Sequence, residues 1–319
     1  MSDFAYAGLG LLILIFAGDA LVRGAVNTSL RLGVPALIVS LTIVAFGTSA
    51  PELLISVSAI LDGAPGIALG NVVGSNTANV LLVLGLPALL AGLKTSECDT
   101  GKSYLIMIGV SMLFVALCFV GPITWWHGLL LLGVLALILG DQLREALTHR
   151  SENSRGHIEE VEGSDPEMRW WKIGVYTVLG LIGLPLGADL LVDSSVSIAR
   201  TYGVSETVIG LTLIAIGTSL PELATTVMAA FRNQTEVALG NVIGSNMFNL
   251  LAIMGIASLV GPIPVDRSFL VFDLWVMLGA SLLIAPFVFS RRLNMTKRWG
   301  ISLTVAYAVY LVVVIYYGS

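Results

Sequence analysis

Charge is scarce in this chain of 319 residues: 12% of them are charged against 56% hydrophobic, and the mean hydropathy is +0.92. That balance excludes a soluble globular domain. Cysteine and histidine are almost absent. Cys98 and Cys118 offer no disulfide framework, and His127, His149 and His157 are scattered without ligand spacing, which excludes zinc, haem and redox chemistry. Basic clusters are lacking as well. The formal net charge of −5 sits mostly in short loops, and nothing resembles a nucleic-acid-binding face. The apolar runs contain no His-Glu-x-x-His, no Gly-x-Ser-x-Gly and no Ser/His pairing, so a membrane-embedded hydrolase is set aside and the chain is read as a non-enzyme.

What the chain has is apolar runs, at about residues 5–22, 35–61, 67–92, 104–121 and 126–143, and then at about 173–192, 205–231, 237–262, 268–289 and 299–317. Each is long enough for a membrane-crossing helix, which predicts an all-α polytopic membrane protein with ten transmembrane helices. The start, Met1-Ser2-Asp3-Phe4, lacks the positive n-region of a cleaved signal, so the first run is read as a permanent helix. Between the fifth and sixth runs lies a stretch rich in Ser, Gly and Glu that cannot bury a core. It has no EF-hand pattern and reads as a solvated linker. The chain therefore divides into 1–147, a linker at 148–171, and 172–319. Of the 16 Lys and Arg residues, 14 fall in loops on one side if both termini are outside, leaving only Arg200 and Arg267 opposite. The positive-inside rule then puts both termini outside and the linker in the cytoplasm of an inner-membrane protein.

The two five-span halves repeat without a gap at an offset of 170 residues, with about 24 identities in the 53 positions from Gly33 to Gly85 against Gly203 to Gly255. Thr42-Ile-Val-Ala-Phe-Gly-Thr-Ser-Ala-Pro-Glu52 lies over Thr212-Leu-Ile-Ala-Ile-Gly-Thr-Ser-Leu-Pro-Glu222, and Gly70-Asn-Val-Val-Gly-Ser-Asn76 over Gly240-Asn-Val-Ile-Gly-Ser-Asn246. The duplicated segments are 42–85 and 212–255. An odd number of spans per copy makes the second copy inverted. Inverted repeats are a transporter architecture, with the substrate site near the bilayer midplane on helices interrupted by Gly or Pro. The Gly- and Pro-bearing motifs predict broken helices in spans two, three, seven and eight.

Glu52 and Glu222 lie deep in apolar runs, where an ionisable group costs at least a few kcal/mol unless it is partnered. No Lys or Arg lies within the four motif-bearing spans, so the partner is a bound cation. Two carboxylates neutralise one divalent ion, and hydroxyl, amide and carbonyl oxygens suit Ca²⁺ and Na⁺. Thr48, Ser49, Thr218 and Ser219 supply hydroxyls, while Pro51 and Pro221 are expected to free carbonyls near Ala45 and Ala215. Ser75 and Asn79, like Ser245 and Asn249, stand four residues apart on one helical face and complete the cage. Small residues also allow close helix packing in lipid, and for an isolated serine that bland reading is the better one. Asp19 and Asp189, near span ends, read as capping or access-path residues more than as ligands. Trp125, Trp126, Trp170 and Trp171 read as interfacial anchors.

With these motif pairs the chain resembles the calcium/cation antiporter superfamily, and within it the short prokaryotic sodium/calcium exchangers, over essentially its whole length. The resemblance implies that Glu52, Glu222, Thr48 and Thr218 hold Ca²⁺. It implies neighbouring sodium sites built from Ala45, Ser49, Ser75, Glu52 and Asn79 of one half and Ala215, Ser219, Ser245, Glu222 and Asn249 of the other. It also implies that spans one and six slide across the remaining eight, and that the partners are Ca²⁺, Na⁺ and lipid, with no cofactor and no obligatory protein partner. Asparagine at 249, where potassium-dependent relatives carry aspartate, argues against potassium co-transport. The intact Gly-Ser of the second motif favours sodium over proton coupling. A proton-coupled antiporter and a cation channel are the rival readings.

Overall fold

The computed structural model describes residues 2–153, 165, 168–203 and 215–318. It is all-helical, as the apolar runs predict: α1 (Ser2–Leu32), α2 (Ala36–Thr48), α3 (Ala50–Leu61), α4 (Pro65–Leu90), α5 (Gly101–Val120), α6 (Trp125–Asn153), α7 (Trp170–Thr201), α8 (Leu220–Phe231), α9 (Thr235–Val260), α10 (Phe269–Phe289) and α11 (Lys297–Gly318). Among the described residues eight helices are long and apolar enough to cross a membrane, and α2 with α3, bent by 42° at their break, make a ninth. The tenth expected span, 205–231, begins outside the described residues and ends in α8.

Two helices of the first half run well past the apolar runs. Helix α1 runs on from the first apolar run to Leu32, because Arg23 and Arg31 extend beyond the apolar stretch without breaking helical backbone. Helix α6 continues into the expected linker as far as Asn153. The linker otherwise lies outside the described residues, except near Asp165 and Met168. There the Asp165 N–H donates to Asn27 Oδ1 at 2.9 Å and the Arg31 guanidinium donates to the Met168 carbonyl at 2.9–3.0 Å, so the end of the linker is tied to the end of α1.

The larger correction concerns the expected breaks. Span two is broken, at Ser49 just before Pro51. Spans three and eight are not: α4 and α9 run continuously through Gly-Asn-Val-x-Gly-Ser-Asn and then widen into one π-turn each, Asn79–Val83 and Asn249–Ile253. That motif has no proline, so no backbone donor is lost. Its glycines do another job in the second half. A Cβ on Gly244 would lie 2.6 Å from the Ala45 Cβ and from the Leu41 carbonyl oxygen, and one on Gly240 would lie 2.8 Å from the Ser40 Cβ. Glycine here lets α9 press against α2.

Helices α4 and α9 form the centre, sheathed by the others, and their inward residues Val72, Val73, Val80, Leu84, Val242, Ile243, Leu250 and Leu251 are fully or almost fully buried. Outside this core α1 and α7 lie against one another along their length, in contact at small residues: a Cβ on Gly180 would meet the Leu21 Cβ at 2.5 Å, and one on Gly183 the Ala17 Cβ at 2.8 Å. Two loop clasps close the core helices. Leu93 pairs with Met295 through N–H···O bonds of 2.9 and 3.1 Å, and Ile123 with Ile263 through bonds of 2.8 and 2.9 Å. The tryptophans expected as anchors, Trp125, Trp126, Trp170 and Trp171, are exposed at the starts of α6 and α7.

Candidate functional site

Glu52 stands in the first turn of α3, directly after the break, and Glu222 in the first turn of α8; both are 0% exposed. Proline at the start of each helix costs no intrahelical bond and fixes the backbone direction there. The helix N-terminus favours a carboxylate electrostatically. Ser49, three residues before Glu52, bonds the Glu222 carboxylate, so the two acidic turns meet although they come from halves 170 residues apart.

The surrounding groups cross between halves. Ser49 Oγ donates to Glu222 Oε1 at 3.1 Å, and Ser75 Oγ lies 3.5 Å from Ser219 Oγ. Asn79 Nδ2 donates to Asn246 Oδ1 at 3.1 Å, and Asn249 Nδ2 donates to Asn76 Oδ1 at 3.0 Å and to Ser75 Oγ at 3.2 Å. The amide donors of both asparagines are thus turned on the opposite half. Their oxygens are not: Asn79 Oδ1 and Asn249 Oδ1 are buried without a hydrogen-bond partner, as are Glu52 Oε1 and Oε2, Glu222 Oε2 and Ser245 Oγ. Buried polar atoms in proteins are almost always paired, and a buried carboxylate without a counter-charge costs several kcal/mol. An orphaned set composed only of oxygens, two of its residues anionic, has the chemistry of a hard-cation site. Among the described residues no group of three or more His, Cys, Asp or Glu converges, so neutral oxygens have to provide the rest of such a shell.

Several of the sequence-predicted ligands are accordingly brought together by direct contacts, Ser49 with Glu222 and Ser75 with Ser219 and Asn249; Asn79 reaches the other half through Asn246, and Glu52 and Ser245 are buried with unpartnered side-chain oxygens. Thr218 follows the short helical turn Ala215–Gly217 and is half-buried. The expectation of a free carbonyl at Ala45 is corrected. That oxygen accepts the Ser49 N–H at 3.1 Å and the Thr48 hydroxyl at 3.3 Å, because proline withdraws its donor from the residue four back, which for Pro51 is Gly47. In the second half the Ser219 N–H turns instead to the Ile216 carbonyl, at 3.0 Å.

Residues without an assigned role in the sequence reading turn out to frame the site. Asn71 Nδ2 donates to the Glu52 carbonyl at 3.2 Å and to Ser56 Oγ at 3.1 Å; Asn241 Nδ2 donates to the Glu222 carbonyl at 3.2 Å and to Thr226 Oγ1 at 3.0 Å. Their signal was present: an amide repeated 170 residues apart inside apolar runs, with a hydroxyl four residues after each glutamate. Other intramembrane acids are occupied elsewhere. Asp19 of α1 is ion-paired to Arg23 at 2.9 Å and, in a shorter contact, to Arg232 just beyond α8. Asp273 of α10 accepts the Tyr310 hydroxyl at 3.3 Å.

Comparison with known proteins decides the family. A family model described as sodium/calcium exchanger protein matches residues 2–143 and 172–316, both halves without the linker. The chain belongs to the sodium/calcium exchanger family. Sodium/calcium exchanger MaX1 of Methanosarcina acetivorans is 34% identical over 98% of this chain and 99% of its own length. Putative antiporter CaxA of Alkalimonas amylolytica is 36% identical over 91% and 90%. The solved structure of the sodium-calcium exchanger NCX_Mj soaked with zero Na⁺ and Ca²⁺ superposes with a TM-score of 0.80 at 31% identity, covering 98% of each chain. The protein is therefore a multi-pass membrane exchanger, related to transporters rather than enzymes.

Proposed function

We propose that this exchanger is a secondary antiporter that moves Ca²⁺ against Na⁺ by alternating access at a midplane site built on Glu52 and Glu222. The observation that carries the reading is the set of six buried, unpartnered oxygens from both halves, two residues of it anionic, with no Lys or Arg among the described residues bonded to either carboxylate. In this reading one Ca²⁺ or several Na⁺ satisfy the same two charges. The empty site keeps its double negative charge and resists being occluded, which couples the fluxes. Three sodium ions, the stoichiometry the family resemblance implies, carry one charge more than one calcium ion, so net exchange is electrogenic and responds to voltage by about 2.3 kcal/mol per charge per 100 mV.

The architecture proposed with it is ten spans in two inverted repeats, 1–147 and 172–319, with both termini outside and the 148–171 linker in the cytoplasm. Reciprocal contacts support the inversion. Asn79 bonds Asn246 while Asn249 bonds Asn76, and the clasps Leu93–Met295 and Ile263–Ile123 repeat the same relation. Contacts in which each copy plays both roles require a two-fold axis. The ligands proposed are Glu52, Glu222, Thr48, Thr218, Ser49, Ser219, Ser75, Ser245, Asn79, Asn249 and the backbone at Ala45 and Ala215, with Ala45 contributing only if its carbonyl accepts an ion beside its two hydrogen bonds.

Proton coupling is the second reading, favoured by the resemblance to the Ca(2+)/H(+) antiporter ChaA of Bacillus subtilis, 27% identical over 74% of this chain and 72% of its own length. The deciding experiment is radioactive calcium uptake into proteoliposomes loaded with sodium and diluted into sodium-free buffer, beside vesicles carrying only a pH gradient. Sodium-driven uptake supports the first reading, and uptake driven by pH alone replaces it with the second.

A further inference from the structure

Asn241 is 0% exposed and lies on α9 opposite both the Glu222 turn and the break of the other half. Both protons of its carboxamide are spent within its own half, on the Glu222 carbonyl at 3.2 Å and on Thr226 Oγ1 at 3.0 Å. The Thr226 hydroxyl itself donates to the Glu222 carbonyl at 2.7 Å, closing a three-membered ring of bonds around the peptide that carries the carboxylate. The Asn241 oxygen faces the other way and accepts the Thr48 hydroxyl, across the halves, at 3.3 Å, sharing that hydroxyl's one proton with the Ala45 carbonyl at the same distance. Thr48 immediately precedes Ser49, whose hydroxyl bonds the Glu222 carboxylate at 3.1 Å.

One neutral side chain thus joins two proposed calcium ligands from opposite halves. Its donors are consumed and its acceptor is engaged, so it is not itself a ligand. An amide is suited to the place because it donates on one side and accepts on the other without adding a charge to a low-dielectric interior. Aspartate lacks the donors, and leucine, of similar size, lacks both. We infer that Asn241 is a positioning residue that sets the separation of Thr48 and Glu222, and through it the calcium affinity of the exchanger. Asn71 holds the Glu52 peptide in the same way, at 3.2 Å, from a half-buried position.

This rests on the proposed two-glutamate site, and it goes further by predicting which ion feels the loss. Thr48 belongs only to the calcium set that the family resemblance implies, whereas Glu222 belongs to the calcium and the sodium sets. Removing the clamp therefore raises the concentration of calcium needed by more than that of sodium, which loses only the support of Glu222, while leaving the maximal rate in place. Loss of one net hydrogen bond corresponds to about a tenfold change in affinity. A purely structural residue would instead lower the yield of folded protein, or depress the rate with both ions together.

The experiment is a double-mutant cycle of Asn241→Ala, Thr48→Val and the pair, with calcium binding measured by titration calorimetry on purified full-length protein and calcium KM and maximal rate measured in proteoliposomes. The expected result is a rise of about tenfold in calcium Kd and KM for each single variant, a rise in the double variant well short of the product of the two, and a half-saturating sodium concentration that stays unchanged in Thr48→Val and rises less than the calcium KM in Asn241→Ala. Effects that multiply, or a fall in rate at unchanged KM, overturn the inference. Asn71→Ala, with a smaller expected rise in calcium Kd, provides the same reading if Asn241→Ala does not fold, and an unchanged Kd in it counts against the clamp. Failure of the underlying site is separately visible: wild-type protein would then bind calcium no better than Glu52→Gln protein.

Discussion

The two halves of this exchanger are alike where they meet and unlike where they end. At the centre, the bonds of Asn71 to the Glu52 peptide and of Asn79 to Asn246 have counterparts in those of Asn241 to the Glu222 peptide and of Asn249 to Asn76, at closely similar lengths, although Asn76 bonds the Asn246 carbonyl where Asn246 turns to Met107. At the ends, Asp19 is clasped by Arg23 and Arg232, whereas the positions 170 residues away are Asp189, Asp193 and Asp62. One carboxylate between two guanidiniums corresponds to three carboxylates. The proposed site, which satisfies the same ion from either side, constrains both copies equally. In the proposed inverted arrangement the flanking ends touch different solvents, which leaves them free to diverge.

The sharpest way to break the comparison is at the glutamates. Glu52→Gln and Glu222→Gln should each lower sodium-driven calcium uptake by more than about 100-fold, as expected for removing one member of a buried charge set, while the protein still inserts and elutes as a single species. Retained uptake in either variant would refute a cage shared by both. A smaller effect is expected from Gly244→Val, which drives a side chain against the Leu41 carbonyl and Ala45 Cβ, each 2.6 Å from a Cβ at that position. Overpacking of this kind costs about 1–3 kcal/mol, so its thermal unfolding midpoint should fall. Gly109→Val, where no atom lies within 4 Å, serves as its neutral control.

The asparagines test equivalence directly. Asn79→Ala and Asn249→Ala should each weaken exchange about tenfold, and to within a factor of about three of one another, because each removes one orphaned oxygen together with its cross-half bonding, one bond at Asn79 and two at Asn249. Strongly unequal effects on calcium KM would show that the halves share a geometry without sharing the load. The smallest effect sharpens the contrast at the ends. Asp19→Asn leaves Arg23 and Arg232 facing each other in a partly buried position and should cost about 1–2 kcal/mol of stability, read as a drop in unfolding midpoint. Asp189→Asn, exposed on α7, should stay within about 0.5 kcal/mol of wild type.

Much of the site was legible because duplication repeats chemistry at a constant offset. A buried glutamate in one apolar run can be an accident, but Glu52 and Glu222 in matching runs, each flanked by Gly-Thr-Ser-x-Pro, cannot be explained by packing. Span positions were legible for the simpler reason that a helix in lipid must hide its backbone behind about 20 apolar residues. The breaks were less so. Glycine in a motif marks a kink or a close approach with equal ease, and in α9 it marks the approach to Ala45 and Ser40.

By itself, then, the sequence determined that the membrane elements are helices, the repeat, and the residues that carry charge into the apolar runs, since each can be read along the chain. Only the tertiary structure decided which oxygens are left over. Whether Asn79 and Asn249 offer the cation an oxygen depends on what their amide nitrogens find, and those partners, Asn246 and Asn76, stand about half the chain away. The same holds for Asn241, whose place between Thr48 and Glu222 comes from three segments meeting. Hydrogen-bond satisfaction is a property of the folded assembly, because a donor is spent or free only in relation to what packs against it.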